Sequence, residues 1–237
     1  MSFYSEEIDN VVLWTGKPDC QAGHGFILDQ LKQLGVVFLS GDSLVNNSVV
    51  GNIGEFTAFS LAIQDSNFAD FRPFAANALN PLSRISRNEL DIVWIRFGET
   101  SRDDLAVLQE VKTTSNPSLA YADNLIDDYD KLFAPNPQFT LHTRLWAIKN
   151  VLEFTLGQPE LCPRVSELAG TRPENSSKIH LLPTAFHERT GSDPRRKMIA
   201  IRSTLCGKGW STAAVKAWGI GLSDLGSRLV RLAMGHI

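Results

Sequence analysis

The sequence lacks any hydrophobic run approaching about 18 residues, so no helix that spans a membrane is expected. Its three cysteines, Cys20, Cys162 and Cys206, are scattered and have no metal-ligand spacing. This arrangement argues against a disulfide framework and against a zinc site, and reduced thiols in a cytoplasm are expected instead. The N-terminal residues MSFYSEEIDN also lack the basic region of a signal peptide. We therefore expect a cytoplasmic protein with no membrane partner.

An excess of positive charge is missing as well. The 237 residues include 23 Lys and Arg against 26 Asp and Glu, a net charge of −3. That balance is not typical of a protein that coats nucleic acid without specificity. The charges are unevenly placed, since residues 123–130 are acidic and the segment from Arg195 to Lys208 is basic. This asymmetry is a hint of a polyanionic partner at the C-terminal end.

The most informative stretch begins at Asn88 and ends at Thr114. It contains two apolar runs, Leu90–Phe97 and Leu105–Val111, each short enough for a strand. The polar residues GETSRD between them are typical of a turn. The stretch therefore predicts a β-hairpin with a loop of medium length. Its anomalous charged residues are Asp91 in the first run, Glu110 in the second, and Lys112 just after it.

The register of this hairpin can be predicted by arithmetic. If the loop is centred between Thr100 and Ser101, the numbers of paired residues sum to 201, and Asp91 faces Glu110. Their Cβ atoms would lie about 4.5–5.5 Å apart, with Lys112 on the same face. Like charges in direct opposition destabilise a sheet. The pair therefore indicates either a divalent cation such as Mg²⁺ between the carboxylates or a simple ion-pair network with Lys112.

Residues 51–65 predict a helix that begins after glycines and has Glu55 in its first turn. Glu55 either favours the positive end of the helix dipole or points into the acidic site of the hairpin. Arg84 and Arg87 precede the first strand of the hairpin. They either contact a phosphate group beside the site or are solvated loop residues.

The remaining elements are predicted from apolar periodicity and from turn residues. In chain order they are a helix over Gly25–Leu34, a strand over Val36–Ser40, a helix over Tyr121–Phe133 with a solvated acidic face, a strand over Lys178–Phe186 that Pro183 places at an edge or an end, a strand over Lys197–Leu205, and helices over Ser211–Trp218 and Ser223–Met234. The last two, joined by GIGL, form a C-terminal helical hairpin, with a helix-turn-helix as the alternative.

Three segments together resemble the PD-(D/E)XK nuclease superfamily: Gly54-Glu55-x-x-Ala58, Glu89-Leu90-Asp91 and Glu110-Val111-Lys112. Their order, with a helix glutamate, a strand aspartate and a strand E-x-K, is similar to Holliday-junction-resolvase-like small endonucleases. The resemblance covers about Gly51 to Phe133. The sequence departs from the family pattern in one place, because no proline precedes Asp91.

The resemblance implies an α/β fold of the restriction-endonuclease-like kind. It has a central mixed β-sheet flanked by helices, to which the C-terminal helical hairpin is added. Residues 1–50 would form an N-terminal helix and strand extension, and residues 51–190 the nuclease core. Residues 191–237 would form the C-terminal strand and hairpin, which can pack on the core as one domain.

The resemblance also implies the residues of a site. The catalytic residues would be Glu55, Asp91, Glu110 and Lys112. Mg²⁺, or alternatively Mn²⁺, would be bound by Asp91, Glu110 and the backbone carbonyl of Val111, and nucleic acid would contact Arg84 and Arg87. Lys112 would orient the attacking water or steady the developing charge. Its pKa would be depressed by burial, or its ammonium would be held charged by the acids.

The expected function is a metal-dependent DNA endonuclease that hydrolyses phosphodiester bonds, as part of a restriction, repair or anti-phage defence system. RNA is the alternative substrate, and a homodimer or a helicase or ATPase partner is compatible with this function. The rival function is a non-catalytic nucleic-acid-binding or assembly module that retains the nuclease fold.

Overall fold

A mixed β-sheet of seven strands crosses the protein in the computed structural model, which describes residues 3–16, 47–75, 91–133, 141–169, 177–189 and 193–233. The strands are β1 (Phe3–Ile8), β2 (Val11–Gly16), β3 (Arg72–Ala75), β4 (Ile92–Arg96), β5 (Leu105–Thr114), β6 (Ile179–Glu188) and β7 (Ala217–Leu222). Their order across the sheet is β1-β2-β7-β6-β5-β4-β3. Neighbours are parallel from β2 through β7 and β6 to β5, and antiparallel at both ends.

Six α-helices accompany the sheet in the described part of the chain. They are α1 (Asn47–Gln64), α2 (Asn124–Phe133), α3 (Leu141–Asn150), α4 (Cys162–Ala169), α5 (Pro194–Gly207) and α6 (Leu225–Ala233). A π-helical turn, Val151–Thr155, continues α3. None of the helices in the described ranges is both long and apolar enough to cross a membrane. The chain is therefore an α/β protein with a mixed sheet flanked by helices, as predicted.

The helices lie on two faces of the sheet because each strand buries alternate side chains on opposite sides. On one face, Ile53 and Phe56 of α1 and Leu229 of α6 pack with Trp94 and Trp218 of the sheet. On the other face, helices α2 to α5 pack through a second apolar cluster. Burial of these two clusters from water supplies the main drive for the layered fold.

The hairpin predicted for residues 90–111 is confirmed. Val93 pairs with Leu108 and Ile95 pairs with Ala106, so paired numbers sum to 201. The loop contains a 3₁₀ turn, Ser101–Asp103, which a capping box between Thr100 and Asp103 stabilises. Strand β5 runs on to Thr114, beyond Gln109, the last residue that pairs with β4.

The predicted C-terminal helical hairpin is wrong, and so is the helix-turn-helix alternative. The GIGL sequence lies in β7, which runs between β2 and β6 in the sheet. Gly219 and Gly221 suit this strand, because a Cβ atom at Gly219 would crowd the Leu13 side chain of β2 and one at Gly221 would crowd the His187 ring of β6. The second predicted helix is present as α6. Strands from residues 1–50, 51–190 and 191–237 thus belong to one sheet.

The strand predicted over Lys197–Leu205 is also wrong, because this segment is helix α5. The Asp193 carboxylate accepts hydrogen bonds from the N–H groups of Arg195 and Arg196, and Pro194 occupies the first helical position. The buried residues of α5 are Met198, Ile201 and Leu205. Their spacing of three and four is that of a helix, which the apolar run alone did not reveal.

Pro183 lies in an interior strand rather than at an edge. Leu181 exchanges hydrogen bonds with Ala214 and Lys216, at 2.7 and 3.0 Å, and the ladder with β7 resumes at Thr184. Pro183 falls in the gap between these contacts, where its missing N–H leaves no bond unmade. The helix predicted over Gly25–Leu34 and the strand over Val36–Ser40 lie outside the described residues.

Candidate active site

Three residues of the predicted site come together at the end of the hairpin. Asp91 directly precedes β4, and its Oδ2 accepts a hydrogen bond from the Val111 N–H at 2.6 Å. The carboxyl groups of Asp91 and Glu110 lie close enough for each to change the pKa of the other. A separation above about 8 Å would have prevented the two carboxylates from sharing a metal ion. The proximity of the two carboxyl groups satisfies that requirement.

Strand alternation explains why Glu110 and Lys112 share a face. Both project toward helices α2 to α5, whereas Gln109 and Val111 point toward α1. Glu110 is buried, at 5% exposure. Gln109 bonds to Trp94 and Thr184 on the opposite face, away from the site.

Burial and mutual repulsion make the two carboxyl groups hard to ionise together. Loss of solvent raises the pKa of Asp91 to about 6, against the opposing effects of Lys112 and the Val111 N–H. Burial, and next the negative charge of Asp91, raise the pKa of Glu110 well above its usual range. Without a cation, the pair therefore binds a proton more readily than two solvated carboxyl groups would.

Lys112 is held in its charged form. Burial alone lowers the pKa of Lys112, but the negative charges of Asp91, Glu110 and Asp128 outweigh it and raise the pKa above its ordinary value. Of the two alternatives predicted for this lysine, the ammonium held charged by acids is the one in the structure. Lys112 is thus equipped to stabilise negative charge rather than to accept a proton.

Asp128 and Tyr129 of helix α2 belong to the site, although neither was predicted there. Asp128 forms an ion pair with Lys112, so the prediction that this acid lies on a solvated face is wrong. The Tyr129 hydroxyl donates to the Leu108 carbonyl at 2.9 Å and accepts from the Glu110 N–H at 3.3 Å. The signal was available, because positions 125, 128, 129 and 132 form one helical stripe whose other members are buried.

Arg144 of α3 is a further cation near the carboxyl pair. It is partly buried, and its positive charge acts to lower the pKa of Glu110. The sequence offered no signal for this approach, because Arg144 is 34 positions from Glu110 and only the packing of α3 brings them near.

Glu55 lies in the middle of its helix. Helix α1 begins at Asn47, so the prediction that Glu55 occupies the first turn is wrong, and the helix dipole does not explain it. A Cβ atom at Gly54 would overlap the Thr113 side chain, so this glycine lets α1 lie against β5. Glu55 is therefore carried at the level of the site, on the helix that covers the other face.

The donor set fits a hard cation that keeps several waters. Among the described ranges, no group of three or more His, Cys, Asp or Glu side chains could hold a metal ion, so Glu55 does not complete such a set with Asp91 and Glu110. The protein donors are then the two carboxylates and the Val111 carbonyl. The carbonyl and the N–H of Val111 lie on the same edge of β5, and this N–H donates to Asp91. A cation would relieve the repulsion within the pair, and Mg²⁺ binds in this hydrated manner.

The opposite charges of the acidic and basic segments largely meet within the protein. Lys197 of α5 bonds to Asp123 at 2.5 Å, and Lys208 bonds to Asp130 at 2.7 Å. The charge asymmetry in the sequence therefore reflects contact between α5 and the region of α2, and the hint of a polyanionic partner loses this support. Arg84, Arg87 and Glu89 lie outside the described residues.

No protein-family model matches the chain, and no curated protein matches its sequence.

Proposed function

We propose that the protein is a metal-dependent DNA endonuclease that hydrolyses phosphodiester bonds. The observation that carries the proposal is the cluster of Asp91, Glu110 and Lys112. It combines a buried and a partly buried carboxyl group, both with raised pKa values, with an ammonium beside them. Carboxyl groups that are destabilising without a cation and stabilising with one are typical of a functional site.

Each residue has a distinct role in this proposal. Asp91, Glu110 and the Val111 carbonyl would hold Mg²⁺ or Mn²⁺, which would supply a polarised phosphodiester oxygen and an acidified water. Lys112 keeps its proton and steadies the negative charge that develops on the phosphate. Arg144 adds positive charge beside Glu110, where a phosphate group would enter. Glu55 remains a predicted catalytic residue that would reach the site through water.

The chain order supports the resemblance to the PD-(D/E)XK superfamily. Helix α1 carries Glu55, β3 follows it, Asp91 precedes β4, and Glu110 and Lys112 lie in β5. Helix α2 and the parallel strand β6 complete the unit. In this proposal, β3 is the first strand of the nuclease core. A restriction-endonuclease-like fold is accordingly part of the proposal.

Plasmid and oligonucleotide cleavage with Mg²⁺ or Mn²⁺ tests the proposal. The wild type should cleave DNA, and Asp91→Ala and Lys112→Ala should each reduce cleavage by about 10³-fold, the effect of losing several kcal/mol of charge stabilisation. Lys131→Ala is the matched control, because Lys131 also contacts Asp128 but is 53% exposed. Cleavage that persists in both site variants would overturn the assignment.

The proposal extends to a cytoplasmic protein that acts on a narrow target or receives DNA from a partner. The net charge of −3 and the internal pairing of basic residues support limited affinity for bulk DNA. RNA as the substrate, a homodimer, and a helicase or ATPase partner in restriction, repair or anti-phage defence are compatible with it.

One observation favours the second candidate, a non-catalytic nucleic-acid-binding or assembly module with the same fold. Lys112 is paired with Asp128, and Asp91 is paired with the Val111 N–H, so protein groups already satisfy part of the cluster. Mn²⁺ titration separates the two candidates. A module of this kind should bind no metal at Asp91 and Glu110, and Asp91→Asn should leave its affinity for nucleic acid unchanged.

A further inference from the structure

The Lys112 ammonium is held from helix α2 as well as from the sheet. Asp128 Oδ2 binds Lys112, and Oδ1 of the same carboxylate binds Lys131 at 2.9 Å. The side chains of Lys112 and Asp128 are 17% and 22% exposed, so solvent screens this pair only partly. The two oxygens of the Asp128 carboxylate thus bind different lysines.

Helix α2 is fixed against β5 at the level of the site. The Tyr129 hydroxyl bonds to the backbone on both sides of Gln109, through the Leu108 carbonyl and the Glu110 N–H. Leu125 and Leu132 are buried one turn away on either side, at 0% and 3% exposure. Asp128, the residue before Tyr129, therefore has a defined position relative to Lys112.

Three carboxyl groups surround this one ammonium. Asp91 and Glu110 lie beside it on the sheet, and Asp128 approaches it from the helix. The two sheet carboxyl groups are those that the proposed function assigns to the metal ion. Without Asp128, the attraction on Lys112 would come from that pair alone, and the ammonium would compete with a divalent cation for the same oxygens.

We propose that Asp128 is a positioning residue, which holds the Lys112 ammonium on the α2 side of the site and keeps the Asp91 and Glu110 oxygens accessible to a metal ion. The effect of Asp128 on metal binding and cleavage rests on the proposed function. The contact itself can be tested without either.

The first test observes the Lys112 ammonium directly, in metal-free protein, by NMR of ¹⁵N-labelled lysine side chains. Lys112→Arg identifies the signal by removing it. Asp128→Asn should shift or broaden that signal, and Asp128→Glu should restore it in part. Asp127→Asn is the matched control, since Asp127 is the exposed preceding residue. An Lys112 signal that Asp128→Asn leaves unchanged, in a variant with unaltered thermal unfolding, would overturn the inference.

The second test is Mn²⁺ titration of four proteins: wild type, Asp128→Asn, Lys112→Met and the double variant. Asp128→Asn should weaken Mn²⁺ binding by about 10- to 100-fold, the usual effect of losing a group that orients a site. The same change should have no effect in the Lys112→Met background, because no ammonium is left to compete. Weakening that persists in this background would show that Asp128 does not act through Lys112.

The third test measures the kinetics of DNA cleavage. Asp128→Asn should lower kcat at a fixed subsaturating metal concentration, leave KM for DNA unchanged, and recover when the metal concentration is raised. If the wild type binds no Mn²⁺ and cleaves no substrate, the proposed function fails and this consequence fails with it. The ammonium signal then still decides whether Asp128 positions Lys112.

Discussion

Gln109 and Glu110 are consecutive residues of one buried strand, yet the protein treats their polar groups in opposite ways. Gln109 is wholly buried on the α1 face, and Glu110 is 5% exposed on the α2 face. Both lie on β5, an interior strand whose neighbours are β4 and β6. The two faces of β5 therefore differ. The Gln109 side chain stabilises the fold, whereas burial of the Glu110 carboxyl group is unfavourable.

On the α1 face the Gln109 side chain both accepts and donates a hydrogen bond. Trp94 Nε1 donates to Gln109 Oε1 at 2.9 Å, and Gln109 Nε2 donates to Thr184 Oγ1 at 3.1 Å. Thr184 in turn donates to the Leu182 carbonyl at 3.1 Å. This network joins β4, β5 and β6 and helps to specify their register.

On the α2 face the polar groups lie close together, but their interactions do not offset the burial and repulsion of the carboxyl groups. Burial and repulsion raise the pKa of both Asp91 and Glu110, so their charged forms are disfavoured in the folded protein. A protein selected only for stability would gain by replacing such groups. The α2 face therefore keeps an unfavourable electrostatic free energy that a bound cation would remove, as expected of a functional site.

Glu110→Gln should give the largest effect and separates the two faces most sharply. Glutamine preserves the size of the side chain and can still donate to Asp91, but it removes one charged metal ligand. Cleavage should fall by about 10³-fold, while metal-free protein at pH 8 should become more stable to urea. A variant that cleaves normally, or one that is less stable without metal, would show that Glu110 is an ordinary structural residue.

Gln109→Ala should give the opposite result. It leaves the Trp94 N–H without its acceptor in a buried site and opens a cavity beside Thr184, so unfolding free energy should fall by about 4 kcal/mol. Metal affinity and cleavage per folded molecule should be retained. Urea unfolding and Mn²⁺ titration of the same sample measure both quantities, and loss of metal binding in a folded variant would contradict the separation of the faces.

The local part of this architecture was predictable from the sequence. The hairpin, its register and the common face of Asp91, Glu110 and Lys112 follow from strand alternation and from one loop. These are short-range features, and the structure agrees with them at Val93–Leu108 and Ile95–Ala106.

The longer-range part was not predictable. Segment Lys197–Leu205 and the GIGL sequence have apolar patterns that suit either a helix or a strand, and packing decided between them. Pro183 suggested an edge strand because it has no N–H to donate. The sequence does not reveal that this position lies in a gap between the contacts of β6. Asp128 and Arg144 reach the site only because helices α2 and α3 pack on β5, which requires knowledge of the fold.

The pH dependence of stability should give a smaller effect and sharpens the comparison further. The pKa of Asp91 is raised from 3.8 to about 6, so the folded protein binds more protons than the unfolded chain between these values. This group therefore contributes stability that is fully present below about pH 4 and is lost as the pH rises through about 6. In EDTA, Asp91→Asn should lack this loss, and its stability relative to wild type should increase by about 2–3 kcal/mol between pH 4 and pH 7.

Taking the difference between the two proteins removes the opposing contribution of His180 and His187. Burial lowers the pKa of both histidines, so they lose stability as the pH falls, but both are present in each protein. Urea unfolding at a series of pH values measures the difference, and Gln109→Ala serves as the control that should parallel wild type. Saturating Mn²⁺ should reverse the difference at pH 7, because wild type alone keeps both carboxylates to bind it. A flat difference across the whole pH range would show that Asp91 ionises freely, and would remove the contrast between the two faces of β5.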